Sequence, residues 1–332
     1  MTIADGSKVR DLTPEEVARG VKEGRMLLVD VREPNETALE SYPDAVTVPL
    51  AIAGLLFIAG RPRVGAALLT IGAWIKIWPV ALVAAAFVAL RRRASVLVAA
   101  FAVTAAVLGT IALAGGGPYA LGFVTEQTGR GLQLEAPVSM FYLWQAVAGV
   151  EGSYLYYDPD ILTFQVTGQN VDVLIAVMTP LLALVTLALV GLGAFKALRG
   201  AQVVALLPPL ALGLTLTLIV FNKVGSPQFI SWLIAPLVFW IVLDRRRAWP
   251  LAAAGLGVAA LTQAVYPLTY GYLLAAEPFA VALLTARNAL LLALWVWAVV
   301  RLYRVSAHTP SPAPSQRSTH VDRLLRRPQR VR

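Results

Sequence analysis

Six apolar stretches dominate the chain, at about 95–114, 172–195, 203–221, 229–243, 249–266 and 280–300. At 1.5 Å of rise per helical residue, about 20 such residues reach across the ~30 Å of bilayer hydrocarbon. A water-soluble core has no room for this many segments, whereas a bilayer covers them on every side. Composition argues the same way. Of 332 residues 58% are hydrophobic and 14% are charged, against roughly 25% charged in soluble domains. Two weaker stretches precede the six: 64–90, interrupted by Lys76 and Pro79, and the short piece 48–60. The latter reaches only ~20 Å as a helix. The expected fold is a mostly α, polytopic membrane helical bundle of seven to eight hydrophobic segments over residues 50–302.

The net charge of +9 is concentrated at one end. From Arg301 onward there are eight arginines and one acid, Asp322, which leaves +2 for the rest of the chain. The segment 303–332 reads as a disordered basic tail, rich in Ser, Pro and Arg. Beside membrane spans such a tail marks the cytoplasmic side and leans on anionic lipid. It lacks the organisation of a nucleic-acid surface, so no nucleic-acid partner is expected. The clusters "RRR" 91–93, "KALR" 196–199 and "DRRR" 244–247 fall on the same side as the tail if each strong segment crosses once. The long loop 115–171 and the loops 222–228 and 267–279 then lie outside. Arg61 and Arg63 are outside if 64–90 is one kinked span, and inside if it is a hairpin turning at "KIWP".

Residues 1–49 read differently, as a small α/β fragment. "DLTPEEVARGVKEG" predicts a helix with Thr13 as N-cap, Pro14 at its first position and Glu16 closing a capping box. "RMLLVDVR" and "DAVTVPL" predict strands, and "EPNETALESY" a short helix between them. The motifs "LLVDVREPNE" and "YPDAVTVPL" resemble the opening of a rhodanese-like domain. That family's sulfur-carrying cysteine has no counterpart, because the chain contains no cysteine. Sulfurtransferase chemistry is therefore excluded, and with it cysteine-ligated metals and disulfides.

Candidate chemistry in the membrane part rests on three polar groups on the outward side. "WIKIWP" holds Lys76 between Trp74 and Trp78; a lysine at membrane depth is costly and is read first as functional, with snorkelling between interfacial tryptophans as the alternative. "EQTGRGLQLEAP" carries Glu126, Arg130, Gln133 and Glu135, and "FNKVGSPQFISWL" carries Asn222, Lys223, Ser226 and Gln228. Both histidines, His308 and His320, are in the tail, so no metal site is expected in the body. Lys76 is the main ionisable residue read within a span. That scarcity weighs against an ion-coupled transporter, which needs midplane acids or broken polar helices.

Together "GAWIKIWPVALVAAAFVALRRR", "TGRGLQLEAPVS" and "FNKVGSPQFISWLIAP" resemble bacterial glycosyltransferase family 87, over about residues 51–305. These are membrane enzymes of the GT-C class, similar to polyprenyl-phosphate-mannose-dependent mannosyltransferases. The resemblance implies a bacterial plasma-membrane protein that moves a hexose from a polyprenyl-phosphate-linked sugar donor to a hydroxyl on a glycan or lipid-linked acceptor. It implies no cofactor. Its motif positions are Lys76, Arg130, Lys223 and Gln228 toward the donor phosphate and sugar, with Glu135 as the candidate general base. In the family the base is typically an Asp in the first outward loop, and this chain has a rhodanese-like fragment in that place. A protein that binds the lipid-phosphate sugar without turnover is the alternative.

Overall fold

The structure is a computed structural model and describes residues 43–117, 120, 122, 130–159 and 161–306. These fall, Pro43 apart, within one compact unit that begins at Asp44. The fragment read over 1–42 and the tail 307–332, with both histidines, lie outside the described residues, as do Glu126 and Asp160.

Residues 44–50 are not a strand. Helix α1 runs Pro43–Ile58 and passes straight through the position where the sequence placed a junction. The alternation of Val46 and Val48 suggested a strand, but an apolar run is most readily satisfied as a helix, which closes its backbone hydrogen bonds internally. Asp44 lies in the first turn, where the helix dipole favours an acid. Ala51, Leu55 and Ile58 form its fully buried face.

Helices α2 (Pro62–Ile75) and α3 (Val80–Ala89) follow, separated by a break at Lys76–Pro79. Gly54 and Gly65 let α1 and α2 cross closely. A Cβ on Gly65 would sit 2.6 Å from the Gly54 carbonyl and 2.8 Å from the Ile58 Cα. Small residues commonly serve such crossings in membrane helices. None of the first three helices reaches the length of a span; as ideal helices they measure about 24, 21 and 15 Å.

Five longer helical stretches are apolar enough to cross a membrane. They are α4 (Arg93–Leu113), α6 (Val171–Leu198), α7 (Val203–Val220), the stretch Pro227–Leu268 and α10 (Pro278–Tyr303). The fourth contains α8 (Ile234–Gln263), which is bent at Asp244, a residue with the non-helical φ of −151° and ψ of 78°. Asp244 caps the second leg, its carboxylate accepting the Arg247 N–H at 3.2 Å and pairing with the Arg247 guanidinium at 3.1 Å. The two segments expected at 229–243 and 249–266 are these two legs.

Helix α7 is the centre of the bundle. Every residue from Leu206 to Val220 except Leu218 is buried, against α3, α6, α8 and α10. In contrast α4 buries only Val96 and Ala99, and α6 only Met178, Leu189 and Gly193. Exposed Phe101, Leu184 and Leu187 suit lipid rather than water. At one end Lys196 donates to the carbonyls of Tyr303 (2.6 Å) and Val305 (3.0 Å), tying the last turns of α6 and α10 together. The clusters at 91–93, 196–199 and 244–247 belong to this arginine-rich end.

The opposite end carries a small module on a second apolar core built on Leu132, Leu134, Leu143, Val166, Leu273 and Leu284. It contains α5 (Met140–Val147), the antiparallel strands β1 (Tyr154–Asp158) and β2 (Thr163–Thr167), and α9 (Tyr270–Leu274). The segment 132–134 lines β2, with Val166 N–H bonded to Leu132 O (3.0 Å) and Leu134 N–H to Phe164 O (3.1 Å).

Candidate functional site

The three polar groups singled out in the sequence meet at this loop end. Lys76 sits in the break between α2 and α3 because Pro79 cannot continue the α2 hydrogen-bond ladder. Its ammonium donates to Gln228 Oε1 at 2.9 Å, a residue 152 positions away. It also pairs with Asp44 at 3.0 Å, and it lies 5.8 Å from the Trp232 ring centre. Trp232 in turn stacks on Trp78, with centroids 5.9 Å apart. Lys76 therefore has an acid partner that its sequence neighbourhood did not show. Asp44 was missed because its segment read as a strand of another module.

This contact also fixes the first hairpin. Asp44, Lys76 and Gln228 share the loop end, so the turn holding Arg61 and Arg63 lies one α2 length away, toward the arginine-rich end. That is the hairpin alternative, turning at "KIWP".

The other two loops lock onto each other. Gln133 N–H donates to Lys223 O at 3.0 Å, and Gly225 N–H donates to Gln133 Oε1 at 3.1 Å. Only a glycine fits at 225, since a Cβ there would overlap the Glu135–Ala136 peptide. Lys223 is 7% exposed, and burial lowers its pKa. Arg130 is half-buried, its Nε enclosed without a hydrogen-bond partner among the described residues. Among the described residues no hydrogen bond joins it to Glu135.

Glu135 is 8% exposed. Its carboxylate accepts the Tyr270 hydroxyl at 2.7 Å, and its backbone carbonyl accepts Arg287 Nη2 at 3.1 Å. Burial raises the Glu135 pKa above the usual carboxylate range, outweighing the hydrogen bond from Tyr270 and the nearby guanidinium. Burial and the adjacent carboxylate raise that of Tyr270.

Arg287 and Asn288 were not found from the sequence, and Lys76 is not the main ionisable residue within the apolar segments. Both sit on α10 and are 2% and 1% exposed. The signal was present: "TARNAL" interrupts a 26-residue apolar helix, and an intramembrane Arg is by default a functional candidate. The scarcity used against a transporter thus loses part of its force.

The depth of the site follows from helix arithmetic. Arg287 lies nine residues past Pro278, so roughly 13 Å along α10 from its loop end. Trp74, two residues before Lys76, donates to Thr104 on α4 at 3.2 Å. Thr104 lies nine residues short of Leu113, again roughly 13 Å from the tip. Arg287 and Thr104 are thus each about two and a half turns from the loop-end tip of their helices. Among the described residues no group of His, Cys, Asp and Glu could hold a metal ion.

The class these features define is a mostly helical protein with five stretches long and apolar enough to cross a membrane and a polar site at its loop end. Compared with known proteins, the chain matches no family model, no curated protein and no solved structure.

Proposed function

We propose that the chain is a membrane glycosyltransferase that takes a hexose, mannose in the first instance, from a polyprenyl-phosphate carrier and gives it to an acceptor hydroxyl on the outer face of a bacterial plasma membrane. The observation that carries this reading is that three sequence-distant segments touch: Lys76 bonds Gln228, and the segment carrying Gln133 and Glu135 locks onto the loop of Lys223 and Gly225. Cations there suit the phosphate that leaves the sugar, because charge developing in the transition state is stabilised by fixed donors in a dry site. Arg130 borders the same loop and is the further donor-phosphate candidate.

A general base works best when its pKa lies near the operating pH. Glu135, raised by burial, suits that role better than an ordinary exposed carboxylate. Asp44 is the second acid of the site, held on Lys76. The family's base-bearing first loop has no counterpart here, so the two acids are distinguishable by substitution.

A single experiment tests the reading: transfer of labelled mannose from polyprenyl-phosphate mannose by the purified chain in lipid nanodiscs. Turnover is expected for the native chain, with Glu135→Gln abolishing it and sparing donor binding. Lys223→Ala should weaken donor binding about 10- to 150-fold, the worth of one charge-assisted contact. Turnover that survives Glu135→Gln but not Asp44→Asn would move the base to Asp44. Binding without turnover in the native chain would favour a lipid-phosphate-sugar-binding protein, a reading that the existing Asp44–Lys76 and Glu135–Tyr270 pairs support. Unchanged binding in the Lys76→Ala/Lys223→Ala double variant would reject the pocket.

A further inference from the structure

Asn288 is 1% exposed, and both its Nδ2 and its Oδ1 lack a hydrogen-bond partner among the described residues. The neighbouring Arg287, 2% exposed, spends Nη2 on the Glu135 carbonyl and leaves Nε without a partner. A buried polar atom left unpaired costs about 1–3 kcal/mol, so three such atoms at adjacent positions of one helix call for an occupant.

Their place in the fold is equally specific. On the buried face of α10, Leu284 belongs to the loop-end core and Leu291 to the membrane core. Arg287 and Asn288 lie between them, on the seam where two separately packed cores meet. Parting a seam disrupts fewer apolar contacts than opening either core. It is also where Glu135 enters, through its bond to Arg287.

The unpaired atoms are two donors, Arg287 Nε and Asn288 Nδ2, and one acceptor, Asn288 Oδ1. Turning the amide over leaves the same set. A phosphate has oxygens that only accept, so it would satisfy the donors and face the amide oxygen unfavourably. A hydroxyl both donates and accepts, and two neighbouring hydroxyls match a primary amide with an adjacent N–H.

We infer that Arg287 and Asn288 form a subsite for the hydroxyls of a neutral sugar ring, next to Glu135 and apart from the lysines that suit the phosphate. The inference rests on the proposed donor and deepens it: Asn288 discriminates the sugar, while Lys76 and Lys223 take the charge common to all such lipids.

The test compares three probes on the full chain in nanodiscs: polyprenyl-phosphate mannose, polyprenyl phosphate without sugar, and methyl α-mannoside. Asn288→Leu is close to isosteric and removes two unpaired polar atoms, so it should melt no lower than the native chain. Asn288→Thr retains a hydroxyl that donates and accepts. The native chain should bind the sugar-bearing lipid more tightly than the bare one. Asn288→Leu should lose about tenfold on the former, about 1.4 kcal/mol, and nothing on the latter. It should also lose methyl mannoside binding, with part of both losses recovered in Asn288→Thr. Equal loss on both lipids, or no loss on either, overturns the subsite and leaves buried waters as the occupants. If the native chain binds neither lipid, the donor reading fails separately. Methyl mannoside then decides the subsite, which is overturned if Asn288→Leu binds it as the native chain does or if neither binds it.

Discussion

Glu135 is held at two points at once: its carboxylate accepts from Tyr270 and its carbonyl from Arg287. Burial makes the folded chain grip the Glu135 proton more tightly than the unfolded chain does. Above the ordinary carboxylate range the unfolded chain has already lost that proton while the folded chain keeps it. The resulting contribution to stability is therefore full at low pH and is lost as pH rises through the raised folded value. Glu135→Gln has no proton to lose. Its melting temperature relative to the native chain should accordingly climb as pH rises from within the ordinary carboxylate range to above it. A difference that stays constant with pH would show that burial does not govern this carboxylate.

At the scale of elements, the contact between the segment 133–136 and the loop 222–226 assembles the site. Gly225→Ala drives a methyl into the Glu135–Ala136 peptide. The expected loss is about 1–3 kcal/mol, typical of overpacking, read as a lower melting temperature together with weaker donor binding. Gly191→Ala, on α6 with open space around it, should change neither. These loops were legible because Lys, Gln and Gly stand out between apolar runs. Their partners were not. Asp44 reaches Lys76 from 32 residues away, and nothing local in "YPDAVTVPL" separates a helix start from a strand. Arg287 and Asn288 were visible as polar letters in an apolar helix, but their burial at the meeting of two cores depends on how α10 packs. The break at "KIWP" was legible from Pro79, and only the Lys76–Gln228 contact chose the hairpin over the kinked span.

Among the described residues one end gathers arginines and the other gathers the polar site. Arginine-rich ends of membrane proteins face the cytoplasm, which predicts that the loop end faces out. The cysteine-free chain suits single-cysteine labelling. Glu151→Cys, in an exposed turn of the loop-end module, should react with an impermeant maleimide on intact cells, and Arg246→Cys should react only after the membrane is opened. The reverse pattern would invert the molecule. The apolar segments, and hence the membrane class, were plain from composition. The second core was not, because 130–170 lacks a regular apolar period and takes its order from the pairing of 132–134 with β2.

The shortness of α1, α2 and α3 has a consequence for the lipid around them. Helices of about 24, 21 and 15 Å do not match a ~30 Å hydrocarbon layer, while their neighbour α4 runs about 31 Å. A bilayer around these helices would meet hydrophobic mismatch beside the Lys76 break and relieve it by thinning, at a cost of fractions of a kcal/mol per ångström. Such thinning would lower the adjacent headgroup plane toward Lys76 and Gln228. A headgroup would then travel less far to meet these two residues than full-length helices would require.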